Sequence, residues 1–135
     1  TGSAEEKYLG DEIIRAAEPL LNSGKIINVA GRMTITQTAA MIKLMSLCIT
    51  NDTSSMHIAA ILNVPLIAIF GPGHLVRFDP RKISKLADVI YHPASCAPCN
   101  HYFCPTKECF DLVTVPEMLA AVTKRLNKFV AGEVG

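Results

Sequence analysis

Between Leu47 and Gly71 the chain reads LCITNDTSSMHIAAILNVPLIAIFG: an apolar run, a polar turn, a mostly apolar stretch, and a second apolar run. That pattern predicts strands at Leu47–Thr50 and Pro65–Phe70 with a helix over Thr53–Leu62 between them. Leu66-Ile67-Ala68-Ile69-Phe70 is apolar at every position, as strands covered on both faces are. The helix is apolar on most sides through Met56, Ile58, Ala59, Ala60, Ile61 and Leu62, so extensive burial is expected.

The flanks continue the alternation. Ser3-Ala4-Glu5-Glu6 matches a capping box and opens a helix running to about Leu21, with Leu9, Ile13, Ala16, Ala17 and Leu20 at helical spacing. Pro19 predicts a loosened last turn, Asn22-Ser23-Gly24 a stop, and Ile26–Val29 a short strand. A second capping box, Thr34 with Gln37, starts a helix carrying Ile35, Ala39, Ile42 and Met45 on one face. Beyond Gly71-Pro72-Gly73 comes a polar loop with His74, Arg77, Arg81 and Lys82, then a short edge strand at Asp88–Tyr91. For the basic loop a solvated face is the plainer reading, and neutralising a phosphate or an anionic acceptor the sharper one. His92 has no evident partner. A cysteine-bearing loop over 94–110 leads to a third capping box, Thr114 with Glu117. The helix over 115–130 sets Leu119, Val122, Leu126 and Phe129 on one face and Lys124, Arg125 and Lys128 away from it.

Helices alternating with apolar strands across short loops indicate an α/β fold, a Rossmann-like parallel sheet with flanking helices, in one domain over 1–135. In such sheets ligands bind beyond the carboxyl ends of the strands. Gly31–Thr34, Asn51–Ser55 and Gly71–His74 each follow a predicted strand and are expected along one rim, which Thr1–Glu5 would join if a strand preceded it. The opening Thr1-Gly2-Ser3 follows no strand, so the sheet is expected to lack its first one.

Composition narrows the function. The net charge of +1 gives no electrostatic case for nucleic acid or a membrane surface as main partner. A small zinc module for such partners is disfavoured by that charge and by only eight aromatic residues. No run approaches the roughly 18 apolar residues of a membrane span, and no signal peptide opens the chain. A cytoplasmic location is expected. Four of the five cysteines crowd into Cys96–Cys109, unlike the dispersed framework of a secreted disulfide domain.

The polar turn Asn51–Ser55 carries the candidate chemistry. A helix start presents unpaired N–H groups and a partial positive charge, so it can hold an anion. Asp52 could accept from sugar hydroxyls while the amides and hydroxyls of Thr53, Ser54 and Ser55 hold phosphate oxygens. The plainer reading makes Asp52 an N-cap, worth about 1 kcal/mol. His57, one turn into the helix, is by itself more simply a hydrogen-bonded core histidine. Cys96, Cys99, Cys104 and Cys109, with His101 among them, are spaced as in a zinc knuckle with cysteine replacing histidine. A structural loop of reduced thiols comes first among the readings, a disulfide second and zinc third.

The run ITNDTSSMHIAAILNVPLIAIFGP resembles the signature of glycosyltransferase family nine, the ADP-heptose:lipopolysaccharide heptosyltransferases. That signature is Asp-Ser/Thr-Gly-x-x-His, then Ala-Ala, then a proline, then an apolar strand ending in Phe/Tyr-Gly-Pro. NVAGRMTITQTAAMIKLMSLCITND is similar to the family's segment leading into the same strand, and Ser95–Cys109 to its Cys-x-Pro-Cys region. The resemblance implies the carboxyl-terminal, nucleotide-sugar-binding half of a two-domain GT-B enzyme that inverts configuration. It implies that Asp52 contacts the donor sugar, Thr53 and Ser54 hold the diphosphate through backbone amides with His57 close by, Met33 packs on adenine, and an acidic residue binds ribose. Glu6 is engaged at the helix start, which leaves Glu5 as the freer candidate. No metal or other cofactor is implied. The resemblance further implies that the acceptor, a lipopolysaccharide core, and the general base belong to an amino-terminal domain, allows a peripheral membrane association of the parent enzyme, and leads to the expectation that the chain alone is inactive. Two positions depart: Ser54 stands for a glycine that would allow close approach or positive φ, and Gly73-His74 for a Ser/Thr after Gly-Pro. They leave open a decayed, non-catalytic module, and a GT-B relative such as a nucleotide-sugar epimerase is the other enzymatic reading.

Overall fold

The computed structural model describes residues 2–20, 25–101 and 103–132. Its contacts cluster into two compact units, Thr1–Ala40 and Met41–Gly135.

In the first unit, α1 (Lys7–Ala17) tightens into a 3-10 turn at Glu18–Leu20, where Pro19 removes a helical N–H. The first capping box is half formed. The Glu6 carboxylate accepts the Ser3 N–H at 2.8 Å, which holds its carboxyl below the usual range. The Ser3 hydroxyl caps nothing, because a turn from Ser3 to Glu6 precedes the helix. Leu21 and the expected stop at Asn22–Gly24 lie outside the described residues. The expected strand at Ile26–Val29 is not one. Asn28 Nδ2 donates to the Lys7 carbonyl and to Asp11 Oδ1, both at 2.8 Å, so the segment is pinned to α1 and finds no ladder. Strand character depends on a pairing partner, and Ile27 is 72% exposed. The second box forms in full: the Thr34 N–H donates to Gln37 Oε1 at 2.9 Å, and the Gln37 N–H to Thr34 Oγ1 at 3.3 Å. It starts α2 (Ile35–Lys43), whose Ile42 is buried while Ile35 is 80% exposed, so the predicted face is only partly used.

The second unit holds a three-stranded parallel sheet in the order β1 (Cys48–Asn51), β2 (Leu66–Phe70), β3 (Ala87–Tyr91). Its two-residue side-chain period sorts the faces. Cys48, Leu66, Ala68, Phe70 and Ala87 join Ile42 and the buried residues of α3 (Ser54–Ile61), Met56, Ala59 and Ala60, in one core. Ile61 is 71% exposed, so α3 is buried on less of its surface than its composition suggested. Asn63, in the left-handed region at φ 53°, closes α3: its N–H donates to the Ala60 carbonyl and that of Val64 to Ala59.

On the other face, Ile49 and Ile69 line an apolar groove of about 410 Å³ with Phe110, Met118, Leu119 and Val122. Met118, Leu119 and Val122 belong to α6 (Val115–Val130), whose Thr114 N-cap accepts the Glu117 N–H at 3.4 Å. Here the expected polarity of α6 is corrected. Leu119 and Phe129 are 61% and 50% exposed, whereas Arg125 is buried. Its guanidinium binds Asp88 of β3, a partner that a helix pattern cannot reveal. Among the described residues no helix is long and apolar enough to cross a membrane.

Candidate functional site

Parallel pairing sets Asn51 opposite Ile69 and Phe70 opposite Tyr91, so the three strands end at one edge of the second unit. The turn Asp52–Thr53, the turn Gly71–Gly73 and His92 follow those ends in turn. The first of these turns leads straight into α3, whose first-turn N–H groups at Ser54 and Ser55 precede any intrahelical acceptor.

Asp52 is not the helix cap. Thr53 holds the N-cap position, with no side-chain cap bond, and its hydroxyl turns back to the Asn51 carbonyl at 3.4 Å and to Thr50 Oγ1 at 3.3 Å. No hydrogen bond engages the Asp52 carboxylate among the described residues, although the residue is half-buried. Burial pushes its carboxyl above the usual range, while nearby His57 pulls the other way. A half-buried carboxylate beside the open end of a helix can accept ligand hydroxyls. His57 likewise has no hydrogen bond there. Its ring meets Phe78 of α4 (Leu75–Phe78) edge-on, centroids 6.0 Å apart, which sets aside the plain reading of a hydrogen-bonded core histidine.

Ser54 lies within α3, and among the described residues the positive-φ residues other than glycine are Asn63, Asn100 and Lys107. The conformational objection to serine at this position therefore falls. The Gly71-Pro72-Gly73 turn is fixed from the cysteine-bearing segment: the Asn100 N–H donates to the Pro72 carbonyl at 2.9 Å, and a Cβ on Gly71 would strike the Phe110 ring. A Cβ on Gly73 would strike Asp52 Oδ2. Sequence reasoning missed these contacts. The one local signal was Asn100, a residue type that tolerates the left-handed conformation it adopts at φ 55°.

Glu5 and Met33 belong to the first unit. Glu5 is exposed and makes no hydrogen bond among the described residues. Their two loops meet, with the Gly31 N–H donating to the Gly2 carbonyl at 2.9 Å. The basic loop mostly pairs with itself: Arg81 forks onto Asp79 at 2.7 Å, Lys82 donates to the Val76 carbonyl, and the Arg77 guanidinium lies 5.1 Å over the Phe78 ring. The five cysteines are free thiols, and among the described residues no three Cys, His, Asp or Glu side chains gather as a metal site requires. His92, whose partner was not evident, binds both Glu117 oxygens at 2.9 Å.

The profile of glycosyltransferase family 9 (heptosyltransferase) matches residues 1–109. The chain belongs to that family. It is 32% identical over 83 residues to lipooligosaccharide heptosyltransferase 2 of Campylobacter jejuni, covering 62% of this chain and 26% of that protein. It is 38% identical over 74 residues to lipopolysaccharide heptosyltransferase 2 of Escherichia coli, covering 53% and 20%. The solved structure of the E. coli ADP-heptose LPS heptosyltransferase II matches with a TM-score of 0.58 and 31% identity over 82% of this chain and 33% of that one. The family 9 chain thus spans about a quarter of the length of the Campylobacter relative and a fifth of the E. coli one.

Proposed function

We propose that this chain is the nucleotide-sugar-binding part of an inverting glycosyltransferase that moves heptose from ADP-heptose to the inner core of lipopolysaccharide. One observation carries the reading: Asp52, a half-buried carboxylate with no hydrogen-bond partner among the described residues, sits at the open end of α3. In this reading Asp52 accepts from hydroxyls of the donor sugar. The N–H groups of Thr53, Ser54 and Ser55 take the diphosphate, and His57 stands one helical turn behind them. Met33 packs on adenine and Glu5 binds ribose. An acceptor hydroxyl attacks the anomeric carbon from the face opposite the diphosphate, the bond to ADP breaks, and the helix start stabilises the negative charge that develops on the leaving group. The general base that takes the acceptor proton, and the acceptor site, lie in a further domain of the parent enzyme. The family membership and the heptosyltransferase relatives support the substrate class.

Titration with ADP, followed by amide NMR shifts, tests the reading. Millimolar ADP should shift the signals of Asp52–Ser55 and of Met33. Unmoved signals at both places would sink it.

A further inference from the structure

We propose that Arg77 binds the diphosphate of the donor and makes this site select a nucleoside diphosphate over a monophosphate. The inference rests on the donor-binding reading above and adds to it a side chain outside the Asp52–His57 run. A helix start brings about half a unit of positive charge, far less than a diphosphate carries, and the Asp52 carboxylate at the same edge opposes it. A cation beside the first turn of α3 would close that gap. In the loop after β2 most of the basic side chains are already engaged: Arg81 forks onto Asp79, and Lys82 donates to the Val76 carbonyl. His92, just past β3, binds Glu117. The Arg77 side chain is exposed and has neither a hydrogen bond nor an acidic partner among the described residues. His74 is exposed as well, with no side-chain cap bond, but only a guanidinium presents the planar fork of donors that pairs with phosphate oxygens.

Phe78 brings Arg77 to the site. Its ring meets that of His57 edge-on at 6.0 Å, and the Arg77 guanidinium lies 5.1 Å over the same Phe78 ring. Two ring contacts thus connect the guanidinium to the first turn of α3, where the His57 N–H donates to the Thr53 carbonyl at 3.4 Å. Asp79, close by in sequence, is taken up by Arg81 and does not draw Arg77 back. An exposed cation–π contact is weak, and a paired contact to phosphate is stronger, so the guanidinium gains by leaving the ring for the ligand. The neighbouring N–H groups of one helix start surround one phosphate group closely. The second phosphate of the donor then falls to Arg77, and a nucleoside monophosphate, which lacks it, gains nothing from this side chain.

The test titrates this chain with ADP and with AMP, followed by the amide NMR shifts of Asp52–Ser55. The unaltered chain should bind ADP about tenfold more tightly than AMP, the effect of charge-assisted hydrogen bonds to one more phosphate. Arg77→Gln, which keeps part of the stem over Phe78, should erase most of that difference by weakening ADP alone. Arg77→Lys, which keeps the charge without the fork, should restore only part of it. ADP binding should also become less sensitive to salt in Arg77→Gln. If neither nucleotide binds the unaltered chain, the donor-binding reading fails and takes the proposal with it. If ADP shifts Asp52–Ser55 in the unaltered chain and Arg77→Gln leaves its affinity unchanged, or weakens ADP and AMP alike, the proposal is overturned and the reading stands. An unfolded Arg77→Gln chain would assign this exposed side chain to the scaffold and overturn the proposal too.

Discussion

Arg125 of α6 reaches Asp88 of β3 with Nε at 2.8 Å and Nη2 at 2.5 Å from the same oxygen, Oδ2. The arginine side chain is 8% exposed and the aspartate 37%, so the pair is buried on one side only. Removing the arginine loses both the ion pair and the packing of its stem. Arg125→Ala should cost about 2 kcal/mol, below the range for a fully buried pair because water still reaches Asp88. Asp88→Asn should cost less, and a double-mutant cycle by urea denaturation should give a coupling of about 1 kcal/mol.

That pair also marks where the sequence stops being legible. The strand β2 could be read locally, because five consecutive apolar residues admit few environments. Capping boxes are local too, and Thr34 with Gln37 behaved as read, while Ser3 with Glu6 and Thr114 with Glu117 formed only in half. Arg125 with Asp88 and His92 with Glu117 are separated by 37 and 25 residues, and periodicity along one element carries no information about what crosses from another. The same limit explains Ile26–Val29: its composition suits a strand, but pairing is decided elsewhere, and Asn28 binds α1 instead. For the site, the position of Asp52 was legible. That Thr53 and not Asp52 holds the cap position, and that Gly73 lies against the carboxylate, were not.

A Cβ on Gly71 would meet the Cζ, Cε2 and Cε1 atoms of Phe110. Those atoms belong to a stiff ring, itself 38% exposed, so it can swing outward only by giving up its contact. Gly71→Ala should destabilise by about 1–2 kcal/mol. In a Phe110→Ala background the same change should cost almost nothing, which thermal denaturation of the four chains would show.

Asp79 accepts the Arg81 N–H at 3.0 Å at the start of the 3-10 turn Pro80–Lys82 and is forked by the same residue's guanidinium. The Arg81 side chain, before any other cause, holds the carboxyl below its usual range. A lowered carboxyl stabilises the fold above its unfolded titration range, and the contribution is lost as pH falls through the folded value. Asp79→Ala should therefore be less stable than the unaltered chain at neutral pH by about 1 kcal/mol. The gap should narrow as pH falls below about 4, the unfolded carboxyl's own range, and on through the folded one. Urea midpoints at a series of pH values decide it.

Cys104 and Cys48 should differ sharply in reactivity. The Thr106 hydroxyl, 3.4 Å away, and the backbone N–H groups of Lys107 and Thr106 lower the Cys104 thiol, whereas burial raises Cys48. The thiolate is the nucleophile. Limited iodoacetamide treatment of the folded chain, read by peptide mass, should modify Cys104 well before Cys48. Equal labelling would mean that the loop does not hold Thr106 against the sulfur.

Asp52 presents the opposite sign to Asp79. Its carboxyl is raised by burial, so the folded state binds the proton more tightly than the unfolded chain does. Stability then falls as pH rises from the unfolded to the folded titration value, and stays at the lower level above both. At neutral pH the charged residue is accordingly a small liability to the fold, one that no cap bond offsets. Asp52→Asn removes the charge and keeps the shape, so its melting temperature should match or slightly exceed that of the unaltered chain, within about 1 kcal/mol in stability. The same substitution should weaken ADP-heptose binding by about tenfold, because a neutral amide replaces a charged acceptor. Measured together, a retained fold and a lost ligand separate a group kept for binding from one kept for structure. A large loss of stability with unchanged binding would assign Asp52 to the scaffold instead.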